Sequence, residues 1–514
     1  MPIKFHNTLT GQLDEFVSQV PNKVSLYTCG PTVYDYPHIG NWAAYIYWDI
    51  LVRILTANGY DVTRVMNITD VGHLVSDADE GEDKLEKGAR REGKTAWEVA
   101  KFYTDVFIDG MNRLGLIMPQ YITKATEYVP QQIDFIRKLK AKGVTYQIND
   151  GIYFDTSKFP RYADFAHLDI DALMAGARVE YNPEKRNPSD FALWKLTPTG
   201  EKRDMEWDTP DDILGNGGLG MGNGISQSQN SSNVITPMPI SQPPTPIMGF
   251  PGWHLECSAM AFAILGETLD VHTGGIDHIP VHHTNEIAQS ETVSGVRFSN
   301  YWLHNNFLKV NGTKISKSLQ NGYTLEDLEK RGFTLLDFRM FLLQGHYKSE
   351  SNFTFENLQA AKNRLHNWRN IAALRHQIHD TLHDENEMIN DDKAVSLYAT
   401  SQAVIEAVND DLGTPQALTI IDDAFTRVVN TRLIHIDRRP FVQLIETIDS
   451  VLGLQLIDST PDISDDAKRM ILERNTARAE KDWNKSDELR NQLLEQGIVV
   501  RDTGANESIW EYKD

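Results

Sequence analysis

The chain has 514 residues, 40% of them hydrophobic and 24% charged, with a formal net charge of −22; this suits roughly two to four soluble globular domains. The acidic balance excludes non-specific nucleic-acid binding as a main role, while leaving room for a local basic face that meets RNA. No apolar run reaches the roughly 18 residues of a membrane span, and the start "MPIKFHNTLTGQLDEF" lacks the basic-then-apolar order of a secretory signal, so a cytoplasmic protein is expected.

In chain order, "KVSLYTC" (23–29) reads as a short strand, followed by the turn "GPTVYDYPHIG". "WAAYIYWDILVRILTA" (42–57) is apolar with few breakers and reads as a mostly buried helix. Gly59 then stops it, and "YDVTRVMNITDV" supplies a second strand. Strand, helix, strand in this order predicts a parallel sheet with ligands at the carboxyl ends of its strands. From about 121 to 210 the chain mixes a helix with turns such as "NDGIYFDTSKFPRY" and reads as an insertion into that sheet. Residues 213 to 255 hold no Asp, Glu, Lys or Arg; their Gly/Ser/Gln/Asn and then Pro-rich core cannot bury enough apolar surface to offset ordering. A segment spanning 211–248 is therefore expected to be disordered. Sheet patterning resumes at "TLDVHTGG". After about Phe353 the chain is helical, and its end reads as a helix, a stop at Gly497 and a terminal strand.

"LGNGGLGMGNG" contains a G-x-G-x-x-G at Gly215, Gly217 and Gly220, the pattern of a dinucleotide turn. No helix can follow it through the Ser/Gln/Asn and Pro stretch, and "EWDTPDD" before it does not read as a strand. It is a chance match.

Three other constellations carry chemistry. His282 and Glu286 in "HHTNE" share a helix face, and His254, His272, His278, His282 and His283 cluster within 30 residues. The only thiols, Cys29 and Cys257, are either buried small hydrophobes or share one chemical role; with His and Glu they form a donor set that suits Zn²⁺. "PHIGN" (37–41) places His38 beside a helix start that attracts phosphate, with Gly40 leaving room for a purine. "KISKS" (314–318) offers Lys314 and Lys317 to neutralise a pyrophosphate.

Together, "YTCGPTVYDYPHIGN", "NITDVGH", "FPGWHLECSAM", "HTGGIDHIPVHHTNEIAQSE", "KISKS", "DDLGTPQAL" and "KDWNKSDELRNQLLEQGIVVRD" resemble the cysteinyl-tRNA synthetases, class I aminoacyl-tRNA synthetases, in the family's order and along nearly the whole chain. The resemblance implies an α/β Rossmann-type parallel-sheet catalytic domain (1–120 and 249–310) with a connective insertion (121–210). A lysine-loop and stem-contact region (311–352), a helical bundle for tRNA (353–455) and a small anticodon-binding piece (456–514) complete the expected division. It also implies one zinc per chain on Cys29, Cys257, His282 and Glu286, binding the substrate cysteine's sulfur. Thr69 and Trp253 would contact the amino acid, and Asp277 the nucleotide or the substrate ammonium. His38, Gly40, Asn41, Lys314 and Lys317 would bind ATP, which brings Mg²⁺ as a substrate ion.

Two positions depart from the family: Asn41 stands where the signature usually ends in His, and Ile315 replaces the usual Met. An amide still donates a hydrogen bond but carries no charge. The activity implied is ATP-dependent activation of L-cysteine and its transfer to tRNA-Cys by a monomer. In the C-terminal part Arg427, Arg432, Arg438 and Arg439 are candidates for phosphate contacts, and Trp483 or Trp510 for stacking on a base. The alternatives are a ligase joining activated cysteine to an amino sugar, and a catalytically silent zinc- or RNA-binding homologue.

Overall fold

The computed structural model describes residues 2–71, 83–168, 182–215, 246–316, 319–377, 397–431, 433–503 and 508–513. At its centre is a five-stranded sheet ordered Ser299–Asn305, Leu269–Gly275, Lys23–Thr28, Asp61–Ile68, Tyr121–Lys124, with every neighbouring pair parallel. From Lys23–Thr28 the chain moves outward to Asp61–Ile68 and Tyr121–Lys124. It then returns on the other side through Leu269–Gly275. The order therefore reverses between Lys23–Thr28 and Leu269–Gly275, where an open α/β sheet leaves a crevice for ligands. Tyr121–Lys124, placed by sequence at the start of the insertion, is the edge strand of this sheet.

The helix Ile39–Ala57 joins the two central strands and has 13 buried residues. Trp42 stacks on Phe107 of the helix Ala96–Arg113, with ring centroids 5.2 Å apart. Burying one such aromatic removes about 150–250 Å² from water, on the order of 4–6 kcal/mol. This packing holds the helix start, and with it the "PHIGN" turn, against the sheet.

The insertion builds an antiparallel sheet ordered Thr145–Ile148, Gly151–Phe154, Phe191–Leu196, Met248–Pro251, Trp207–Asp208. Its core joins Phe135, Ile136 and Trp194 to Leu255 and Ala259 of the helix Trp253–Leu265, so this unit also positions the Cys257 helix. Two expectations change here. Trp207–Asp208 of "EWDTPDD" is a short edge strand after all, because Gly249 and Met248 arrive to pair with it. The segment expected to be disordered is also ordered at both ends. Ile213 is buried in the insertion's core, Asp212 pairs with Arg137 at 2.6 Å, and Met248 lies in a strand. Its middle, 216–245, with Gly217 and Gly220, lies outside the described residues. Gly215 donates its N–H to Gln147 Oε1 at 2.6 Å and sits in the insertion, away from the parallel sheet.

Beyond the sheet, Leu308–Val310, Thr313–Lys314 and Ser351–Phe353 form a small three-stranded sheet that carries the start of the lysine loop. Long helices follow, Phe355–Ala373, Tyr398–Asn409, Thr414–Val429 and Arg438–Leu452, then the pair Asp465–Ala479 and Trp483–Glu495. The last helix ends at Gly497, whose φ of +80° suits glycine, before the hairpin Ile498–Asp502/Ser508–Tyr512.

Candidate functional site

Cys29 directly follows the strand Lys23–Thr28, at the crevice where the sheet order reverses. Cys257 comes from the helix Trp253–Leu265, and His282 from a π-helical turn, Ile279–His283, that opens the helix Thr284–Ser294. Such wide turns recur at functional sites; this one leads directly into Glu286. The ligand atoms of Cys29, Cys257 and His282 lie within 4.8 Å of one another. Glu286 is not in that trio, but its Oε1 lies 3.7 Å from His282 Nε2, and all four residues are buried.

The same pocket holds a second grouping, Cys29, His272, His283 and Glu286, also within 4.8 Å. His272 Nε2 is 3.2 Å and His283 Nε2 3.8 Å from Glu286 Oε2, and Cys29 Sγ is 3.4 Å from His283 Nε2. Around this lies a tier that orients the rings. His282 Nδ1 meets His254 Nδ1 at 3.1 Å, and His283 Nδ1 meets His304 Nε2 at 2.7 Å; His304 Nδ1 in turn meets the Thr8 hydroxyl at 2.7 Å. Using one ring nitrogen for a fixed partner aims the other, as metal-ligating histidines require.

Glu286 is fully buried and faces the His272, His282 and His283 rings at 3.2–3.8 Å without well-aligned hydrogen bonds, a costly place for a carboxylate unless a cation stands beside it; although burial opposes it, Glu286 raises the His272 pKa. Burial pushes the Cys257 thiol well up. Burial acts the same way on Cys29, yet the hydrogen bond from Cys257 and the neighbouring His283 hold it well below the usual thiol range. His278 is pushed up to about 9: burial opposes its charge, but the bond to Cys29 outweighs it. Two sulfurs, an imidazole and a carboxylate fit a borderline divalent ion such as Zn²⁺.

Trp253 lies over this pocket, stacked on the His282 ring with centroids 4.5 Å apart. Thr69 is buried and engaged within the protein: its hydroxyl donates to Glu256 Oε2 at 3.0 Å and accepts from Asn67 Nδ2 at 3.2 Å. Asp277 is exposed on the turn after Leu269–Gly275.

The second half of the site is the contact of the "PHIGN" turn with the lysine loop. His38 is the N-cap of the helix Ile39–Ala57, and its Nδ1 accepts from the N–H groups of Gly40 (3.1 Å) and Asn41 (3.3 Å). Asn41 Oδ1 accepts the His38 N–H at 3.0 Å. Asn41 thus completes a capping box, which leaves its Nδ2 as a donor. A Cβ on Gly40 would stand 2.9 Å from Ile315 Cδ1 and 3.0 Å from His38 Cε1, so the turn and the loop touch across a glycine. Ile39 N–H donates to Tyr323 O at 2.8 Å, tying them a second time. Lys314 is exposed at the strand end, its Nζ 4.7 Å from the Phe307 ring. Lys317 and Arg432 lie outside the described residues.

Sequence reasoning missed His304 and Glu256. His304 lies far along the chain, and only the register Gly274↔His304 of two parallel strands brings it beside His283. In the C-terminal region Trp483 is 57% exposed, whereas Trp510 is 4% exposed and packs in the core with Ala373, Leu493 and Ile498. Arg427 donates to Thr400 Oγ1 and Arg438 to Arg375 O, both at 3.1 Å.

The family model of the class I (C) tRNA synthetase catalytic domain matches residues 15–220 and 241–363, and that of the cysteinyl-tRNA ligase anticodon binding domain matches residues 460–507. A cysteine–tRNA ligase of Treponema denticola is 38% identical, the match covering 99% of this chain and 100% of the relative. Cysteine–tRNA ligase 1 of Burkholderia lata is 39% identical, over 98% and 96%. In fold, the chain is similar to Mycobacterium tuberculosis methionyl-tRNA synthetase bound by methionyl-adenylate, with a TM-score of 0.56 at 13% identity over 84% of this chain and 92% of that one. The chain belongs to the cysteinyl-tRNA synthetase family of class I aminoacyl-tRNA synthetases.

Proposed function

We propose that the chain activates L-cysteine with ATP to cysteinyl-adenylate and transfers the cysteinyl group to the 3′ end of tRNA-Cys, with one zinc held by Cys29, Cys257, His282 and Glu286. The observation that supports the reading is the buried cluster of Cys29, Cys257 and His282 at the sheet's crevice, with Glu286 3.7 Å from His282. Bound zinc supplies a soft acceptor for the substrate's thiolate, which a serine hydroxyl cannot match.

The other residues bind and orient. Trp253 covers the substrate side chain and Thr69 contacts the amino acid; Asp277 takes the nucleotide or the ammonium. With Nδ1 accepting two backbone N–H groups, a neutral His38 carries its proton on Nε2, the nitrogen that donates to phosphate. Asn41 Nδ2 donates beside it, and Gly40 leaves space for the purine. Lys314 and Lys317 neutralise the pyrophosphate as it leaves, while Mg²⁺ arrives on ATP through the phosphates. The cysteine carboxylate attacks the α-phosphorus, and pyrophosphate departs. The terminal ribose hydroxyl then takes the cysteinyl group. These residues act by positioning and electrostatics, without a covalent enzyme intermediate.

We assign the parallel sheet to catalysis, the antiparallel sheet to a connective unit, and the helices after Phe353 with the terminal hairpin to tRNA stem and anticodon binding. Exposed Trp483 is the stacking residue of choice. Two unpaired thiols suit a reducing, cytoplasmic compartment, and the active unit is taken as a monomer. The test is transfer: purified protein charges tRNA-Cys with cysteine, and cysteine-dependent pyrophosphate exchange without transfer to tRNA would overturn the reading.

A further inference from the structure

We infer that Asn321 is a positioning residue for adenylate formation, whose side-chain amide clips the backbone on both sides of Ile315 and so holds Lys314 at the signature turn; this rests on the role proposed for Lys314. Asn321 Oδ1 accepts the Ser316 N–H at 2.9 Å, while its Nδ2 donates to Lys314 O at 3.2 Å and to Thr313 Oγ1 at 3.3 Å. The partners fix which way the amide faces, since a backbone N–H only donates and a carbonyl only accepts. The Thr313 hydroxyl donates to Val310 O at 2.9 Å, which leaves a lone pair for Asn321. Pairing with the neighbouring strand ends at Lys309↔Lys314, and Asn321 takes over from there.

The stretch from Asn321 to Tyr323 joins the two halves of the site. A Cβ on Gly322 would stand 3.3 Å from Ile315 Cγ2 and 3.5 Å from His38 Cβ, and one on Gly40 would stand 2.9 Å from Ile315 Cδ1. Ile315 therefore lies in a slot between two glycines, beside His38. Tyr323 O then accepts the Ile39 N–H at 2.8 Å, so the stretch grips the lysine loop at one end and the signature helix at the other. The turn that brings Asn321 back to the loop is made at Gln320, whose φ of +49° lies in the left-handed region that residues other than glycine rarely enter. Lys314 itself is exposed, its Nζ resting near the Phe307 ring. With its carbonyl clipped, only side-chain torsions separate that resting place from the departing pyrophosphate. Without the clip the backbone that carries the charge is released, and misplacing a group by about 1 Å costs up to about 100-fold in rate. Lys314 is needed as pyrophosphate leaves, so the loss falls on kcat of activation and not on cysteine binding.

The test is cysteine-dependent ATP–pyrophosphate exchange by the full chain carrying Asn321→Ala. Its kcat should fall about tenfold, while KM for cysteine, bound zinc and the melting temperature match the wild type. Transfer of the cysteinyl group from preformed, enzyme-bound cysteinyl-adenylate to tRNA should be unchanged, because pyrophosphate has already left. In a Lys314→Ala background, followed in single turnover, Asn321→Ala should cost less than about threefold, since the charge it positions is gone. A kcat within about threefold of wild type, or a cost of that size or more without Lys314, overturns the inference. So does a parallel loss of cysteine affinity or zinc, or a transfer step slowed as much as activation. Should Asn321→Ala fail to fold, Asn321→Asp, which keeps an acceptor for Ser316 and loses both donors, must show the same selective loss of kcat. A wild type with no cysteine-dependent exchange would instead overturn the proposed function, and Lys314→Ala with wild-type exchange the role proposed for that lysine.

Discussion

Replacing Asp49 with Leu should destabilise the protein by about 3–6 kcal/mol. Asp49 and Arg339 are both fully buried and ion-paired. The Asp49 carboxylate also accepts from Arg53 Nε at 2.6 Å and from the Ile117 N–H at 2.7 Å, while Arg339 Nε donates to Leu452 O at 2.6 Å. This knot ties the helix that begins at the signature turn to the end of the helix Arg438–Leu452 in the C-terminal helical part. Removing one partner of a buried pair costs about 3–5 kcal/mol, because the other charge stays buried. The stranded Ile117 N–H adds on the order of 1 kcal/mol or more. The assay is urea unfolding followed by tryptophan fluorescence. Asp49→Leu with Arg339→Met removes both charges and should recover most of the loss. The pH dependence follows from the same pair. Burial opposes the Asp49 charge, but Arg339 and Arg53 outweigh it and lower its pKa. Its stabilisation is therefore present above the ordinary carboxylate pKa of about 3.9 and is lost as pH falls through the lower folded value. The double variant should lack that share of acid sensitivity. A cost below about 1 kcal/mol for Asp49→Leu, or a double variant as unstable as the two single losses combined, would refute the reasoning.

Four further outcomes follow from the site and its surroundings. Cys257→Ser should lose zinc and activity together, measured by metal analysis and pyrophosphate exchange; stoichiometric zinc in that variant would remove Cys257 from the ligand set. Gly30→Ala should abolish exchange or folding, since its Cβ would overlap the Asn67 carbonyl oxygen; near-normal activity with a wild-type melting curve would contradict that close approach. Trp483→Ala should leave exchange and thermal stability unchanged while lowering cysteine transfer to tRNA by about tenfold or more, the value of one stacked base; an unchanged transfer rate would release Trp483 from base stacking. Deleting 216–245, which spares Ile213 and Met248, should leave cysteinyl-adenylate formation intact, and loss of it in a folded protein would give that segment a catalytic role.

The readable parts of the site were those where chemistry shows in local sequence. Cys29, Cys257, His282 and Glu286 stood out because thiols are scarce and the His–Glu spacing places both on one helical face; in the structure Cys29, Cys257 and His282 come together, while Glu286 falls in the adjoining group with Cys29, His272 and His283. The strand–helix–strand start was legible for the same reason: apolar periodicity and Gly59 are local signals. What stayed hidden depends on partners distant in sequence. His304 becomes part of the site only through its pairing register, and Trp207–Asp208 is a strand only because Met248 and Gly249 come back to it. Composition alone drew the low-complexity segment too wide, because the core that captures Ile213 and the strand that pairs with Met248 are built from residues outside it. The Asn41 departure reads differently in three dimensions. It looks like a weakened phosphate contact in sequence, yet its Oδ1 completes the cap on the very helix that presents His38.

The most direct test of the account is amino-acid-dependent ATP–pyrophosphate exchange by the purified protein, with bound zinc quantified in the same preparation. Cysteine should drive exchange and serine should not, with one zinc per chain, and stripping the metal should abolish the response to cysteine. Exchange that proceeds equally with serine, or that persists with cysteine after zinc is gone, would contradict it.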